Sequence, residues 1–191
     1  MRPAENPFNS GKVDALPYNF DSTDWQEVFA DLRALDFRGS VVGGHGSGKT
    51  TFLRELADKL RSRGFVVFQI CLKRDRKHLR FAEWRQLCFK SGEHTIVLID
   101  GAEQLSTLEW CSVALLSRRA RGLIVSAHRL GLLPPLLMCN PCVKTVRQLV
   151  NALAPSMVAS DLVENVYSSH RGNVREVFRT LYDRFAHDNS L

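Results

Sequence analysis

No stretch of this sequence is long and apolar enough to suggest a membrane segment. The longest apolar run, LGLLPPLLM at residues 130–138, contains two prolines, whereas a helix that spans a bilayer needs about 20 apolar residues. The first ten residues, MRPAENPFNS, are polar and lack the apolar core of a secretory signal peptide. We therefore expect a cytoplasmic protein that does not associate with membranes.

The chain also lacks repeats, low-complexity segments and a cysteine pattern with a clear function. Five cysteines are scattered among 191 residues. Cys139 and Cys142 form a C-x-x-C pair, but no second pair of ligands stands at the spacing of a zinc site. The pattern does not place this pair between a strand and a helix, as a redox motif would require. The thiols are therefore interpreted as structural or incidental.

Apolar runs alternate with helical patterns through most of the chain. Runs of strand type occupy residues 37–42, 64–72, 95–100 and 122–129, and a short fifth strand is expected near residues 142–149. Helices are expected after most strands and before the first, where Thr23 and Gln26 resemble a capping box. Beyond Pro155 the pattern is purely helical. This alternation predicts an α/β fold with a parallel sheet covered on both faces.

The sequence GGHGSGKT at residues 43–50 stands between the first strand and a helix. It contains four glycines, and the helix after it carries an apolar face at Phe52, Leu53, Leu56, Ala57 and Leu60. Bare backbone N–H groups and the positive end of the helix dipole favour a bound anion at this position. Glycines allow the backbone to close around phosphate oxygens, a lysine reaches the β- and γ-phosphates, and a hydroxyl ligates Mg²⁺.

This spacing resembles the Walker A motif of P-loop NTPases. The resemblance implies a three-layer core with a mostly parallel five-stranded sheet, followed by a small C-terminal helical lid. It divides the chain into a lead-in and helix at residues 1–36, an ATPase core at 37–150 and the lid at 151–191. ATP and Mg²⁺ are the implied ligands, and the residues implied to bind nucleotide are Gly43, Gly44, His45, Gly46, Ser47, Gly48, Lys49, Thr50 and Thr51.

A second motif, TIVLID at residues 95–100, resembles a Walker B segment. Its aspartate, Asp100, together with Thr50, is the implied set of metal ligands. Many related ATPases carry a glutamate directly after this aspartate, but here that position is Gly101 and the glutamate is Glu103. This order resembles the D-G-x-D/E form of some STAND and NACHT signalling ATPases. Glu103 is therefore the candidate that orients the attacking water.

Two weaker resemblances point to the AAA+ side of the P-loop ATPases. The segment GLIVSAHR stands where AAA+ proteins have their sensor 1 strand, with Ser126 as the candidate to meet the γ-phosphate or the water and His128 as the alternative. The segment HRGNVRE resembles the sensor 2 region, in the G-N-x-R form of origin-recognition-like and transposition-associated ATPases. Arg175 would then reach the phosphates. The arginine finger is unassigned, although Arg118, Arg119 and Arg121 precede the sensor 1 strand.

The charge is positive and concentrated. The formal net charge is +6, and the run KRDRKHLR from Lys73 to Arg80 holds five basic residues and one acidic one. Such a run is a solvated face or a contact for nucleic acid. A partner protein or a second copy of the chain is also an expected partner.

The chain is therefore predicted to be an ATP-binding, Mg²⁺-dependent ATPase whose lid moves with nucleotide state. The guanine motif N-K-x-D and the ABC signature L-S-G-G-Q are both missing, which favours ATP over GTP and excludes an ABC protein. Two alternatives remain. One is a P-loop kinase for a small molecule or nucleotide, and the other is a switch that binds ATP and hydrolyses little of it.

Overall fold

The structure, a computed structural model, describes residues 5–19, 23–89 and 92–188. Within these ranges five strands form one sheet: β1 (Arg38–Gly43), β2 (Val66–Cys71), β3 (Thr95–Asp100), β4 (Gly122–Ala127) and β5 (Pro135–Cys139). Their order is β2-β3-β4-β1-β5, and all four pairings are parallel. The predicted α/β fold with a five-stranded parallel sheet is confirmed.

Eight helices accompany the sheet in the described ranges: α1 (Ser10–Asp14), α2 (Trp25–Ala34), α3 (Lys49–Arg61), α4 (Phe81–Phe89), α5 (Thr107–Leu116), α6 (Val143–Leu153), α7 (Ser160–Ser169) and α8 (Val174–Asp188). Short 3₁₀ turns at Ala102–Gln104 and Ser117–Arg119 flank α5. The expected helices after β1, β2 and β3 are therefore present. None of the helices in the described ranges is long and apolar enough to cross a bilayer.

The fifth strand was predicted in the wrong place. Residues 142–149 begin the helix α6, and the strand is β5, a few residues earlier. The buried side chains of α6 are Thr145, Val146 and Val150, which recur at a helical period although β-branched residues favour strands. Pro135 opens β5 at the edge of the sheet, where a missing N–H is tolerated. The same shift places Cys139 at the end of a strand and Cys142 before a helix, contrary to expectation.

The chain divides into two compact units. The larger one, residues 23–43 and 52–139, holds the sheet with α2, α4, α5 and most of α3. Strand β4 is buried along its whole length and β3 in all but its last residue, as expected for central strands of a sheet covered on both faces. The helices α4 and α5 contribute Leu87 and Val113 to the apolar cluster on one face.

Helix boundaries in this unit follow local capping signals. A capping box begins α5, because the Ser106 hydroxyl accepts from the backbone of Glu109 while the Glu109 carboxylate accepts from the backbone of Ser106. At α2 the predicted cap was wrong by one residue. Asp24 is the N-cap, and its carboxylate accepts from the N–H groups of Gln26 and Glu27. A carboxylate also interacts favourably with the helix dipole, which a threonine does not.

The other unit holds residues 1–22, 44–51 and 140–191. Its core is an apolar cluster from α6, α7 and α8 that includes Val146, Val166 and Leu181. Phe8 of the predicted lead-in is 3% exposed in this cluster, and its ring packs edge-on against Phe185 at 5.2 Å. The segment before α2 thus contains the helix α1 and a buried aromatic side chain. Its residues 1–4 and 20–22 lie outside the described residues.

Candidate functional site

The glycine-rich loop requires glycine at two of its positions. Gly46 has φ +69° and Gly48 has φ +94°, a left-handed conformation that side chains disfavour. A Cβ atom at Gly46 would lie 1.9 Å from Oδ1 of Asn173, and one at Gly48 would lie 3.1 Å from the ring of Tyr18. The spacing of glycines in GGHGSGKT therefore reflects the shape of the backbone and its close neighbours.

Lys49 is held inside the loop. The residue is only 8% exposed, and its Nζ donates to the carbonyl oxygen of Gly44 at 2.7 Å. The Ser47 hydroxyl donates to the same oxygen at 2.9 Å. Since α3 begins at Lys49, this ammonium group and the first amides of the helix combine positive charge with N–H donors.

The other predicted loop residues surround this arrangement. Gly43 ends β1 and is buried, Gly44, His45 and Thr50 are exposed, and Thr51 is half-buried within the first turn of α3. Thr50 is thus an exposed residue beside the buried Lys49, at the positions that the motif assigns to Mg²⁺ and phosphate ligands.

The start of α8 lies beside the same loop. Asn173 caps α8, because its Oδ1 accepts from the backbone N–H of Glu176 at 3.3 Å. This oxygen is also the atom nearest to the position that a Cβ atom would take at Gly46. The backbone nitrogen of Arg175 lies 3.1 Å from that Cβ position, while the Arg175 side chain is exposed. The sequence motifs did not indicate that Asn173 and Tyr18 are neighbours of the loop.

Asp100 is held by hydrogen bonds at the carboxyl end of β3. The buried Ser126 of β4 donates from Oγ to Oδ1 of Asp100 at 2.5 Å and accepts from the backbone N–H of Gly101 at 2.8 Å. Desolvation raises the pKa of the Cys71 thiol, and the Asp100 carboxylate opposite it in the sheet raises this pKa further. The thiol thus stays protonated at neutral pH.

The backbone explains why a glycine follows Asp100. Gly101 has φ +84°, and a Cβ atom there would lie 2.6 Å from the carbonyl oxygen of Leu72. A glutamate at this position would meet backbone atoms that cannot move aside without distorting the end of β2. The acidic residue of this segment, Glu103, lies two residues after Gly101, in the 3₁₀ turn Ala102–Gln104.

Glu103 is paired with His128, the alternative sensor 1 residue. Nε2 of His128 lies 3.0 Å from Oε1 of Glu103, and the two side chains are 27% and 25% exposed. Nδ1 of the same ring lies 3.1 Å from the carbonyl oxygen of Gly43. The structure thus connects the end of β1, the residue after β4 and the turn after β3 through one imidazole.

The arginines expected near sensor 1 have separate environments. Arg121 pairs with Asp36 at 2.6 Å and lies over the ring of Phe37. Arg118 and Arg119 are exposed and line a groove with Cys88, Phe89, Leu115 and Leu116. None of these contacts identifies an arginine finger.

The basic run does not form a uniform solvated face. Arg76 pairs with Glu83 at 2.7 Å and also donates to the carbonyl oxygen of Cys71. His78 pairs with Glu109, with 3.0 Å between Nδ1 and Oε1. The side chains that remain exposed and basic are Lys73, Arg74, Lys77 and Arg80.

The five-stranded parallel sheet with helices on both faces matches the P-loop fold of known AAA+ proteins. A solved structure of RuvB from Thermotoga maritima, titled as a Holliday junction branch migration motor, matches with a TM-score of 0.56 at 15% sequence identity. The match covers 82% of this chain and 58% of that one.

Point variants of the same protein give similar values. One matches with a TM-score of 0.56 at 14% identity, over 83% of this chain and 61% of that chain. The chain thus spans about 60% of the length of these RuvB chains. Identity at this level supports the shared fold alone. A scan against models of known families finds no match, and neither does a comparison with curated protein sequences.

Proposed function

We infer that the protein is an ATP-binding, Mg²⁺-dependent P-loop ATPase of AAA+ type. The observation that carries this proposal is the loop at residues 43–50, with two left-handed glycines and a contained lysine at the start of α3. A loop of this shape presents several N–H donors and one cation to a single anion. The triphosphate of a nucleotide is the ligand that such a site fits best.

The residues of the loop have distinct roles in this proposal. The backbone amides of Gly44, His45, Gly46, Ser47 and Gly48, with those of Lys49, Thr50 and Thr51, receive phosphate oxygens, and Gly43 brings the chain to this position. When nucleotide binds, the Lys49 ammonium gives up its hydrogen bond to the Gly44 carbonyl and donates to the β- and γ-phosphates instead. Because it is already contained in the loop, it needs only a short movement to do so.

The metal ligands are assigned from the motifs. Thr50 and Asp100 supply a hydroxyl and a carboxylate oxygen, which are the donor types that Mg²⁺ prefers. The Ser126 hydroxyl donates to Oδ1 of Asp100 and thereby restricts the rotation of this carboxylate. When bound, Mg²⁺ neutralises charge that develops on the phosphate oxygens. Ser126 is thus proposed to act on catalysis by fixing Asp100.

Hydrolysis requires a group that orients water, and Glu103 is proposed for this role. A carboxylate accepts a hydrogen bond from a water molecule and so directs a lone pair of the water oxygen towards the γ-phosphate. Arg175 is proposed to respond to the phosphates from the start of α8. In this organisation residues 37–150 are the core, residues 151–191 are the lid, and residues 1–36 lead into the core. Binding then closes the lid and hydrolysis opens it, which changes a surface for a protein partner or a second copy.

The test is to incubate the purified protein with ATP and Mg²⁺ and to measure nucleotide binding and phosphate release. We expect tighter binding of ATP than of GTP and continuous release of phosphate. Formation of ADP that begins only after a phosphate acceptor is added, without release of free phosphate, would instead favour the kinase. Tight binding with release no faster than in buffer would favour the switch, and no binding would reject all three.

The exposed side chains of the basic run favour a nucleic-acid partner as well. Replacement of Lys73, Arg74, Lys77 and Arg80 by glutamine should weaken binding of a labelled DNA duplex in a fluorescence anisotropy titration. The slope of log affinity against log salt should fall by about 0.9 for each DNA phosphate that the variant no longer neutralises. Arg76 is left unchanged, because its pairing with Glu83 makes it a structural residue.

The matched control replaces four exposed arginines elsewhere in the chain, namely Arg33, Arg171, Arg179 and Arg184. This variant has the same net charge as the first and should retain the salt slope of the wild type. An equal reduction of affinity in both variants would indicate only a general effect of charge. Absence of binding by the wild type at low salt would remove nucleic acid as a partner.

A further inference from the structure

We propose that His128 is a positioning residue that holds the Glu103 carboxylate in place to orient water. This inference rests on the proposed ATPase function and assigns His128 a role other than contact with phosphate. Its basis is the bridge in which one imidazole contacts Gly43 O at 3.1 Å and Glu103 Oε1 at 3.0 Å. Both ring nitrogens are engaged with protein atoms.

The chemistry of the two partners fixes the direction of this bridge. A carbonyl oxygen only accepts hydrogen bonds, so Nδ1 of His128 carries a hydrogen and donates it to Gly43. A carboxylate oxygen also accepts, so Nε2 of His128 donates to Glu103 Oε1 when this nitrogen carries a hydrogen as well. The ring is therefore oriented by Gly43, at the end of β1, and in turn orients Glu103.

Glu103 depends on this contact because its own segment gives it little support. It lies in a 3₁₀ turn of three residues, and that turn has no side-chain cap at its N-terminus. Long acidic side chains lose considerable rotamer freedom when they are fixed. A bond from His128 to Oε1 restricts the carboxylate while its second oxygen can accept from a water.

The carboxyl end of β4 thereby supports both acidic residues of the site. Ser126 lies on β4 and bonds to Asp100, and His128 follows two positions later and bonds to Glu103. Residues two positions apart in an extended chain point to the same side. Glu103 is displaced from the position after Asp100 because the backbone there accepts only glycine. The contact with His128 holds the Glu103 carboxylate in one position.

The test compares His128→Asn and His128→Phe with the wild type for ATP affinity, KM and kcat. We expect kcat to fall by about 10- to 100-fold, the usual effect of removing a residue that orients another. Nucleotide affinity and KM should stay within about twofold, because the proposal places no binding contact at His128. A larger residual rate in His128→Gln than in His128→Phe and His128→Asn would support positioning through a hydrogen bond, because glutamine carries its N–H donor one methylene further from the backbone than the shorter asparagine.

Two controls separate this role from a structural one. His78→Asn removes a histidine from a pair of the same 3.0 Å length, with Glu109, and should leave kcat unchanged. In a Glu103→Gln background, His128→Phe should cause no further reduction of kcat, since residues that act as a unit are not additive. Thermal unfolding shows whether each variant is folded, and His128→Asn serves if the phenylalanine variant is not.

The possible outcomes distinguish this inference from the function on which it depends. If the wild type releases no phosphate, the proposed function is wrong and this role of His128 is wrong with it. If the wild type hydrolyses ATP and folded His128 variants keep the wild-type kcat, only the inference is wrong. An equal reduction of kcat by His128→Phe with and without Glu103 would also overturn it.

Discussion

Replacement of Lys49 by alanine is expected to weaken ATP binding by about 10- to 100-fold. Hydrogen bonds that involve a charged group contribute about 1.5–3 kcal/mol, and each 1.4 kcal/mol corresponds to roughly a tenfold change in affinity. Lys49 is the cation that the structure holds within the loop, where its Nζ donates to Gly44. Calorimetric titration of both proteins with ATP in the presence of Mg²⁺ measures this difference.

The matched control is Lys59→Ala, which removes a second lysine from α3. Lys59 lies over the ring of Trp25, with 4.9 Å between Nζ and the ring centroid, and the motifs give it no part in phosphate binding. It should retain the wild-type affinity even if it unfolds at a slightly lower temperature. Equal affinity for ATP in Lys49→Ala and the wild type would show that the loop is not a phosphate site.

Glu103→Gln should reduce phosphate release by about 10²- to 10⁴-fold, the range expected when a general base is removed. The substitution preserves size and can still accept from His128, so nucleotide affinity should persist. Steady-state phosphate release and ATP titration, measured on the same preparation, separate these two effects. Glu109→Gln is the matched control, since Glu109 also pairs with a histidine at 3.0 Å.

Each alternative function predicts a different result for this pair of variants. A switch that barely hydrolyses ATP would show slow release in the wild type and little change in Glu103→Gln. A kinase would release little phosphate with or without an acceptor, and addition of the acceptor would instead accelerate formation of ADP. Brisk hydrolysis that survives Glu103→Gln would contradict the role of Glu103 and leave the ATPase itself intact.

The sheet could be predicted where burial dominates the choice of residues. Strands β3 and β4 are nearly continuous apolar runs because helices cover both faces, and such runs stand out in a sequence. Strand β5 lies at the edge and starts at Pro135, so neither its burial nor its composition indicates a strand. The valines of α6 cause the opposite error, because β-branched residues favour strands and led to a strand prediction although their spacing is helical.

Local motifs identified candidate residues of the site but not the contacts between them. The loop is defined by spacing along the chain, so Gly43 to Thr51 could be named from the sequence. The bond from Ser126 to Asp100 and the pairing of His128 with Glu103 join residues more than 20 positions apart. Such contacts depend on which strands are neighbours and in what register, which no local pattern determines. The sensor roles were accordingly assigned to phosphate contacts that remain predictions.

The close approach of Leu72 to Gly101 also limits how this protein can diverge. A single change at codon 101 cannot supply the adjacent acid found in many related ATPases, because the new side chain would meet the carbonyl oxygen at the end of β2. That acid would become acceptable only after the backbone on both strands had shifted. If Glu103 orients water as proposed, turnover depends on this later position of the acid and on His128 beside it, and an acid at position 101 requires prior changes in the backbone.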